Sequence, residues 1–258
     1  MPHPREFKAR DEARERINEA AAKATVVTIS HYHNDHHTPN YLDPVWLGST
    51  PELSERTYTG KIVLAKDFRS KINTAHNRTF DFGKTTIRFP PPQPHGEDES
   101  GLGWVLPCMI EKSGEKIVFA PDVQGPVSKE TVKVILDEKP SLVILGGPPT
   151  YLQGFRIGEE FFRTALIHME MIAKEVETLV IDHHLLRDDG WYKFLEPVRE
   201  RAEKSGHRVI TAAELARKEP NPLECRRKEL YEEEKPSAEF LKWAKLPKEK
   251  LSDTAPPL

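Results

Sequence analysis

Six residues constrain this chain more than any others. His31-Tyr32-His33-Asn34-Asp35-His36 follows directly on the apolar, β-branched run Thr25-Val26-Val27-Thr28-Ile29-Ser30, which reads as a buried strand. Three imidazoles and a carboxylate at the end of such a strand make a poor core, because every polar atom taken out of water must find a partner. They make a good metal site. His31 and His33 lie two apart and point to the same side if the strand continues. Asp35 and His36 follow where the backbone can turn and aim them at a second point. Neutral imidazole with carboxylate suits zinc, and two ions about 3.5–4 Å apart form a hydrolytic centre. The competing reading is a histidine-rich surface loop that binds metal adventitiously or not at all.

The rest of the chain weighs against that competitor. Of eleven histidines, seven fall in three places: His31, His33, His36 and His37; His95; His183 and His184. Each place follows a run that reads as a strand. A fourth such place holds Asp122, in Phe119-Ala120-Pro121-Asp122 after Lys116-Ile117-Val118. Strand ends on one edge of a sheet can converge in space although far apart in sequence.

The order of these motifs resembles the metallo-β-lactamase superfamily, which carries His-x-His-x-Asp-His, a lone His, a metal-bridging Asp and a final His. The matching positions are His31, His33, Asp35 and His36, then His95 in Pro94-His95-Gly96, then Asp122, then His183, over residues 25–190. Ser30 to Pro39, Gly146-Gly147-Pro148-Pro149-Thr150-Tyr151 and Ile181-Asp182-His183-His184 are similar in wording to an archaeal branch of that superfamily. The resemblance implies an α/β fold, a four-layer αβ/βα metallo-β-lactamase-like sandwich. It implies His31, His33 and His95 on one ion, Asp35, His36 and His183 on the other, and Asp122 bridging. Two Zn2+ are expected, with Mn2+ or Fe2+ as substitutes. A metal-bridged hydroxide would then attack a carbonyl or phosphorus centre, with Asp35 orienting it or shuttling its proton.

Two departures stand out. Superfamily members open with several strands, whereas one helix precedes the motif here; either the chain starts late with N-terminal strands missing, or its first sheet is short. Asp182-His183-His184 also offers two last ligands. His183 is preferred, because its spacing to Arg187 resembles the Thr-His-x-x-x-Arg pattern of tRNA-processing relatives. His184 is then a candidate catalytic proton donor and His37 a candidate for contacting ligands or substrate, with a structural histidine as the alternative for each. Arg187 either contacts an anionic substrate or pairs with Asp188 or Asp189. Tyr151 belongs to a loop that shapes a substrate wall or is a plain turn.

At 258 residues, with 37% hydrophobic and 31% charged, the chain can bury a sizeable core. We expect a hydrolase domain over residues 1–220 and a charged helical extension over 221–258 packed on it. A net charge of −3 gives no global pull toward nucleic acid, so a small-molecule substrate is favoured over RNA. Abundant Lys and Glu fit a thermophile's bias. Cys108 and Cys225 belong to no Cys-x-x-Cys pair, which argues against a thiolate zinc site. No apolar run approaches the roughly 18 residues of a membrane span and no signal-peptide core is visible, so a cytoplasmic protein is expected, with no membrane partner.

Along the chain, 5–24 reads as an amphipathic helix with Ala13, Ile17, Ala20, Ala21 and Ala24 as its apolar stripe. Residues 40–60 read as one long loop, in which Tyr41 and Trp46 either wall the site or cap the core. Strands are expected at 61–65, 85–89, 104–110, 116–120, 141–145, 178–181 and 208–210. Helices are expected from Ser128 to about Glu138, over Phe162–Val176 with His168 on its surface side, and over 190–204. The residues after Lys250 are expected to be loose.

Three active readings compete with a metal-bound scaffold. An ester, lactone or phosphoester hydrolase comes first. A nuclease or RNA-processing enzyme is second, since no extra domain lies between Asp122 and His183. A di-iron electron-transfer protein is third, because such relatives show Glu where His33 stands.

Overall fold

Four apolar runs, rich in Val, Ile and Leu, lie side by side as parallel strands in the computed structural model. They are β9 (Glu115–Ala120), β10 (Leu142–Gly146), β11 (Thr178–Asp182) and β12 (Arg208–Thr211). Parallel neighbours need crossovers, supplied here by α3 (Lys129–Asp137), α4 (Glu159–Glu175) and α5 (Trp191–Glu203). The structure describes residues 1–66, 73–99, 101–251 and 254–258. They form two units, Ala65–Asn221 and the combination of Met1–Leu64 with Pro222–Leu258.

In the larger unit, three antiparallel strands extend the sheet: β4 (Arg78–Phe82), β5 (Thr85–Phe89) and β8 (Cys108–Lys112). The order across the sheet is β12-β11-β10-β9-β8-β5-β4. The unit is therefore α/β with a mixed seven-stranded sheet. Ser113 and Gly114, both at positive φ, close a hairpin between β8 and β9. Gly83 and Lys84 close a second hairpin that sequence reading missed, because Arg78-Thr79-Phe80-Asp81-Phe82 alternates only weakly.

The core of this unit sits where α4 and α5 meet the sheet. Ala165, Met169, Ile172 and Ala173 of α4 and Leu195, Val198 and Ala202 of α5 are buried with Val143, Leu145, Leu179 and Ile181. Each large aliphatic side chain there contributes about 1.5–3 kcal/mol through burial. His168 belongs to this buried face of α4 and not to its surface, a correction taken up below. Ser128 starts α3, yet its side chain makes no capping bond. A two-residue strand, β3 (Asn73–Thr74), precedes the sheet, and β6 (Gln93–Pro94) pairs with β7 (Trp104–Val105) beside it.

The other unit begins with α1 (Pro4–Lys23), started by a capping box in which His3 accepts from Arg5 N and Glu6 accepts from His3 N. The expected alanine stripe is not its buried face: Ile17 is 49% exposed. Phe7, Arg10 and Arg14 hold the helix instead. Arg10 donates to the Pro44 and Val45 carbonyls (2.6 and 2.9 Å), and Arg14 to Thr38 Oγ1 and the Leu47 carbonyl. Polar partners on a loop thus replaced the apolar surface that the alanines would have needed.

β1 (Val26–Ile29) and β2 (Ile62–Ala65) pair, with Ile62 N donating to the Thr25 carbonyl. Residues 40–60 are not one loop, because α2 (Pro51–Tyr58) lies within them. Its signals were local: Thr50 caps Leu53 N, Pro51 sits at N1 and Glu52 in the first turn. Trp46 is 56% exposed, with the Arg227 guanidinium over its ring, and so caps no core.

The C-terminal helices α7 (Arg227–Glu233), α8 (Ala238–Trp243) and α9 (Lys248–Leu251) complete this unit. Phe7 packs edge-on against Phe240 and Trp243, and Arg227 grips Glu6 with two guanidinium nitrogens. Trp243 Nε1 donates to the Thr254 carbonyl, so the looseness expected after Lys250 does not hold at Thr254. Residues 252–253 lie outside the described residues. Among the described residues no helix is long and apolar enough to cross a membrane.

Candidate metal centre

In the larger unit the ligand-type side chains leave one edge of the sheet. Asp122 follows the C-terminal end of β9, His183 and His184 follow that of β11, and the Gly146–Tyr151 segment leaves β10. β5 is antiparallel to β8, which is antiparallel to β9, so β5 also ends on this edge and leads through Pro90, Pro91 and Pro92 toward His95. Ligand sites in α/β sheets belong at such carboxyl ends.

Asp122 is the focus. It is 1% exposed, and three imidazoles reach it: His95 Nε2 at 2.9 Å from Oδ2, and His183 Nε2 and His184 Nε2 at 3.0 and 3.1 Å from Oδ1. Asp122, His183 and His184 lie close enough together to form a metal-ligand group. A carboxylate this deep calls for a compensating cation, and imidazoles with a carboxylate are the donor set of a divalent metal. The residues fit the ion that the resemblance implies.

The backbone explains how they converge. Asp122 (φ 54°), Gln124 (φ 55°) and His183 (φ 67°) are in the left-handed region, which costs non-glycine residues about 1–2 kcal/mol each. Such strain concentrates at functional sites. Two backbone bonds tie the loops together, Gly125 N to the Gly146 carbonyl and Gly147 N to the Asp182 carbonyl, both 2.9 Å. Gly146 is a glycine because a Cβ there would lie 2.5 Å from Asp122 N, and one on Gly147 would meet the Leu185 side chain at 2.6 Å. The double glycine thus serves close backbone approach beside the site, a role that sequence reading left open between wall and turn.

Around His184 stand two further predicted residues. The Tyr151 hydroxyl is 3.1 Å from Nδ1 and Arg187 Nη1 is 3.4 Å from it. Both partners can donate, so Nδ1 accepts and Nε2 is the nitrogen turned to Asp122. Burial lowers the His184 pKa, with the neighbouring His183 and Arg187 charges acting the same way and Asp122 opposing them. Asp182, which sequence reading did not single out, accepts from His183 N at 2.7 Å and starts the 3₁₀ turn His183–Arg187. Burial raises its pKa, partly offset by that bond. Asp188 turns to Gly190 N.

In the other unit β1 stops at Ile29, so His31 to His37 run as an irregular segment and a turn, not as a continued strand. His31 and His33 nevertheless share a side: His31 Nε2 is 3.1 Å from His33 Nδ1. Ser30 Oγ lies 3.1 Å from His31 Nδ1, and the His31 and His36 rings meet at a 37° tilt with 4.3 Å between centroids. His36 Nε2 is 3.9 Å from Asp35 Oδ2. The His33 carbonyl accepts from His36 N (2.9 Å) and from His37 Nδ1 (3.0 Å). His37 therefore braces the motif's own turn. His31 is buried, whereas the Asp35 side chain is exposed.

No known family profile matches the chain. Curated relatives do. A UPF0282 protein of Methanopyrus kandleri is 37% identical over 255 residues, covering 90% of this chain and 85% of the relative. One of Pyrococcus furiosus is 37% identical over 256 residues, covering 91% and 79%. Among solved structures, the diiron β-hydroxylase CmlA of Streptomyces venezuelae aligns with a TM-score of 0.45 at 9% identity, over 72% of this chain and 43% of that one. The metallo-β-lactamase fold protein YhfI of Bacillus subtilis aligns with a TM-score of 0.41 at 15% identity, over 74% and 76%. The sequence relatives span nearly the whole chain at better than one identical residue in three, and on that ground the chain belongs to the UPF0282 protein family.

Proposed function

We propose that the chain is a metal-dependent hydrolase that uses two divalent ions, zinc in the first instance, on an ester, lactone or phosphoester of small size. The observation that carries this reading is Asp122, a carboxylate 1% exposed with three imidazole nitrogens within 3.1 Å. Following the order of motifs, the ligands are His31, His33, Asp35, His36, His95, Asp122 and His183. When bound, the ions supply Lewis acidity, ionising water near neutral pH and polarising the carbonyl or phosphoryl group under attack.

The chain's own residues supply the rest. Asp122 offers two carboxylate oxygens, one beside His95 and the other beside His183, and would serve as the ligand shared by the two ions. Asp35, with its exposed carboxylate, orients the attacking water or takes its proton. His184, held through Nδ1 by Tyr151 and Arg187, is placed to return a proton to the leaving group. Arg187 and Tyr151 meet an anionic or polar part of the substrate.

The test is a panel of lactone, phosphodiester and RNA substrates, run on zinc-loaded protein with and without chelator. Chelator-sensitive turnover of a lactone or small phosphodiester is expected, with Asp35→Asn slower by about a hundredfold, the lower end of the usual range for a general base. Turnover of RNA alone would move the assignment to a nuclease. No zinc-dependent turnover of any class, from protein carrying its metal, would remove the hydrolase reading.

A further inference from the structure

The loop that carries Asp122 is built against its own conformational preference. Within four residues, Asp122, Gln124 and Gly125 all take positive φ (54°, 55° and 128°), and only one of them is glycine. A turn of this kind persists only when its surroundings over-determine it. Part of that determination comes from β10, through the bond between Gly125 N and the Gly146 carbonyl. The rest comes from α4. The Ala165 methyl faces Gly125 so closely that a Cβ on Gly125 would lie 2.6 Å from it. One turn further on, His168 Nδ1 lies 3.1 Å from the Pro126 carbonyl, four residues beyond Asp122.

His168 is 4% exposed, among Ala165, Met169 and Ile172 on the apolar face of α4. An aliphatic side chain would suit that face better on burial alone, and a buried imidazole is costly unless it is hydrogen-bonded. A carbonyl oxygen can only accept, so Nδ1 must carry the proton. The one polar side chain on this face is thus spent on the backbone of the loop that aims Asp122.

We propose that His168 is a positioning residue for the metal ligand Asp122, fixing the Pro126 carbonyl from α4 and with it the left-handed turn that points the carboxylate at the three imidazoles. The inference rests on the reading of Asp122 as a ligand. It assigns His168 no contact with metal or substrate.

The test compares His168→Asn and His168→Gln in the full chain. The Asn amide nitrogen stands where Nδ1 stood and can still donate to Pro126, whereas the Gln amide lies one bond further out, where Nε2 stood. The two differ in reach and little in polarity. Zinc affinity is measured by competition with a chromophoric chelator, alongside circular dichroism and a thermal melt of each variant. His168→Asn should bind zinc within about threefold of wild type, and His168→Gln on the order of tenfold more weakly, at the lower end of what outer-shell partners of a metal site cost. A third variant, His168→Leu, keeps the apolar packing and should bind as weakly as His168→Gln. If it does not fold, the Asn and Gln pair still decides. Equal zinc affinities for Asn and Gln would overturn the proposal, as would a His168→Leu protein that folds and binds like wild type. Wild-type protein that takes up no zinc would instead overturn the ligand reading of Asp122, and this proposal with it.

Discussion

In the unit Ala65–Asn221 the ligand-type side chains hang from the ends of hydrogen-bonded strands, whereas in the other unit His31 to His37 follow a four-residue strand and brace one another. Around Asp122 the positions are set by backbone: Gly125 N on Gly146, Gly147 N on Asp182, and a glycine where any Cβ would strike Asp122 N. Around His33 they are set locally, by its carbonyl accepting from His36 and His37, by the His31–His33 contact and by ring contacts. The first arrangement is preorganised by the sheet and by the backbone bonds between its loops. The second is local, so substitutions there disturb the motif itself and little beyond it.

Among the histidines, the largest effect of a single substitution is expected at His183 and His184. We predict that His183→Ala lowers zinc content more than His184→Ala, although both imidazoles reach the same Asp122 oxygen. Direct metal analysis of the two variants checks this. His184 is restrained from its far side by Tyr151 and Arg187, which suits a proton donor better than a ligand. Greater metal loss from His184→Ala would exchange the two roles.

A smaller effect probes the scaffold. Gly146→Ala forces a methyl to within 2.5 Å of Asp122 N, and overpacking of this kind costs about 1–3 kcal/mol. Urea melts should show that loss together with weaker zinc binding, because the atom displaced belongs to the ligand residue. Gly158→Ala is the control, since nothing lies within 4 Å of a Cβ at that position. Gly158 is the N-cap of α4, where alanine is the poorer residue, so a cost of up to about 1 kcal/mol is expected, with zinc binding unchanged. Equal effects of the two would show that the strand-end geometry does not depend on the close approach at Gly146.

The mildest comparison needs no substitution. Cys108 is buried in β8, and burial pushes its thiol pKa up to about 12, so it stays a thiol at pH 8 and reacts slowly. Cys225, in the other unit, is only half-buried. A chromogenic disulfide reagent should therefore titrate one thiol in the native protein and two in denaturant. Two fast thiols in the native state would mean that the sheet opens readily at β8.

Sequence alone showed those parts of the molecule in which one physical signal dominates. Strands β5, β9, β10 and β11 were legible because β-branched runs bounded by Pro, Gly or Asp leave few alternatives. Asp122 and His183 stood out because each follows such a run. His168 was missed for lack of weight given to the face it shares with Phe161 and Ala165, seven and three residues earlier, where a polar residue reads as an interruption. α2 was hidden by Pro51 and Ser54 in a segment rich in loop-forming residues, although its cap was present in Thr50. The α1 stripe failed for a different reason. Its alanines matched helical spacing, but the loop at 44–47 presents carbonyls that take arginines. Which face of a helix is buried depends on its neighbour, and the neighbour is not in the periodicity.

Metal content tests the central claim most directly. Protein purified without added metal, stripped with chelator and reconstituted with zinc, should carry close to two equivalents by elemental analysis. Asp122→Ala, treated alike, should lose at least one of them, because no neutral side chain can bridge two cations. Wild-type protein that stays near zero after reconstitution, or an Asp122→Ala protein that keeps both ions, would contradict the account.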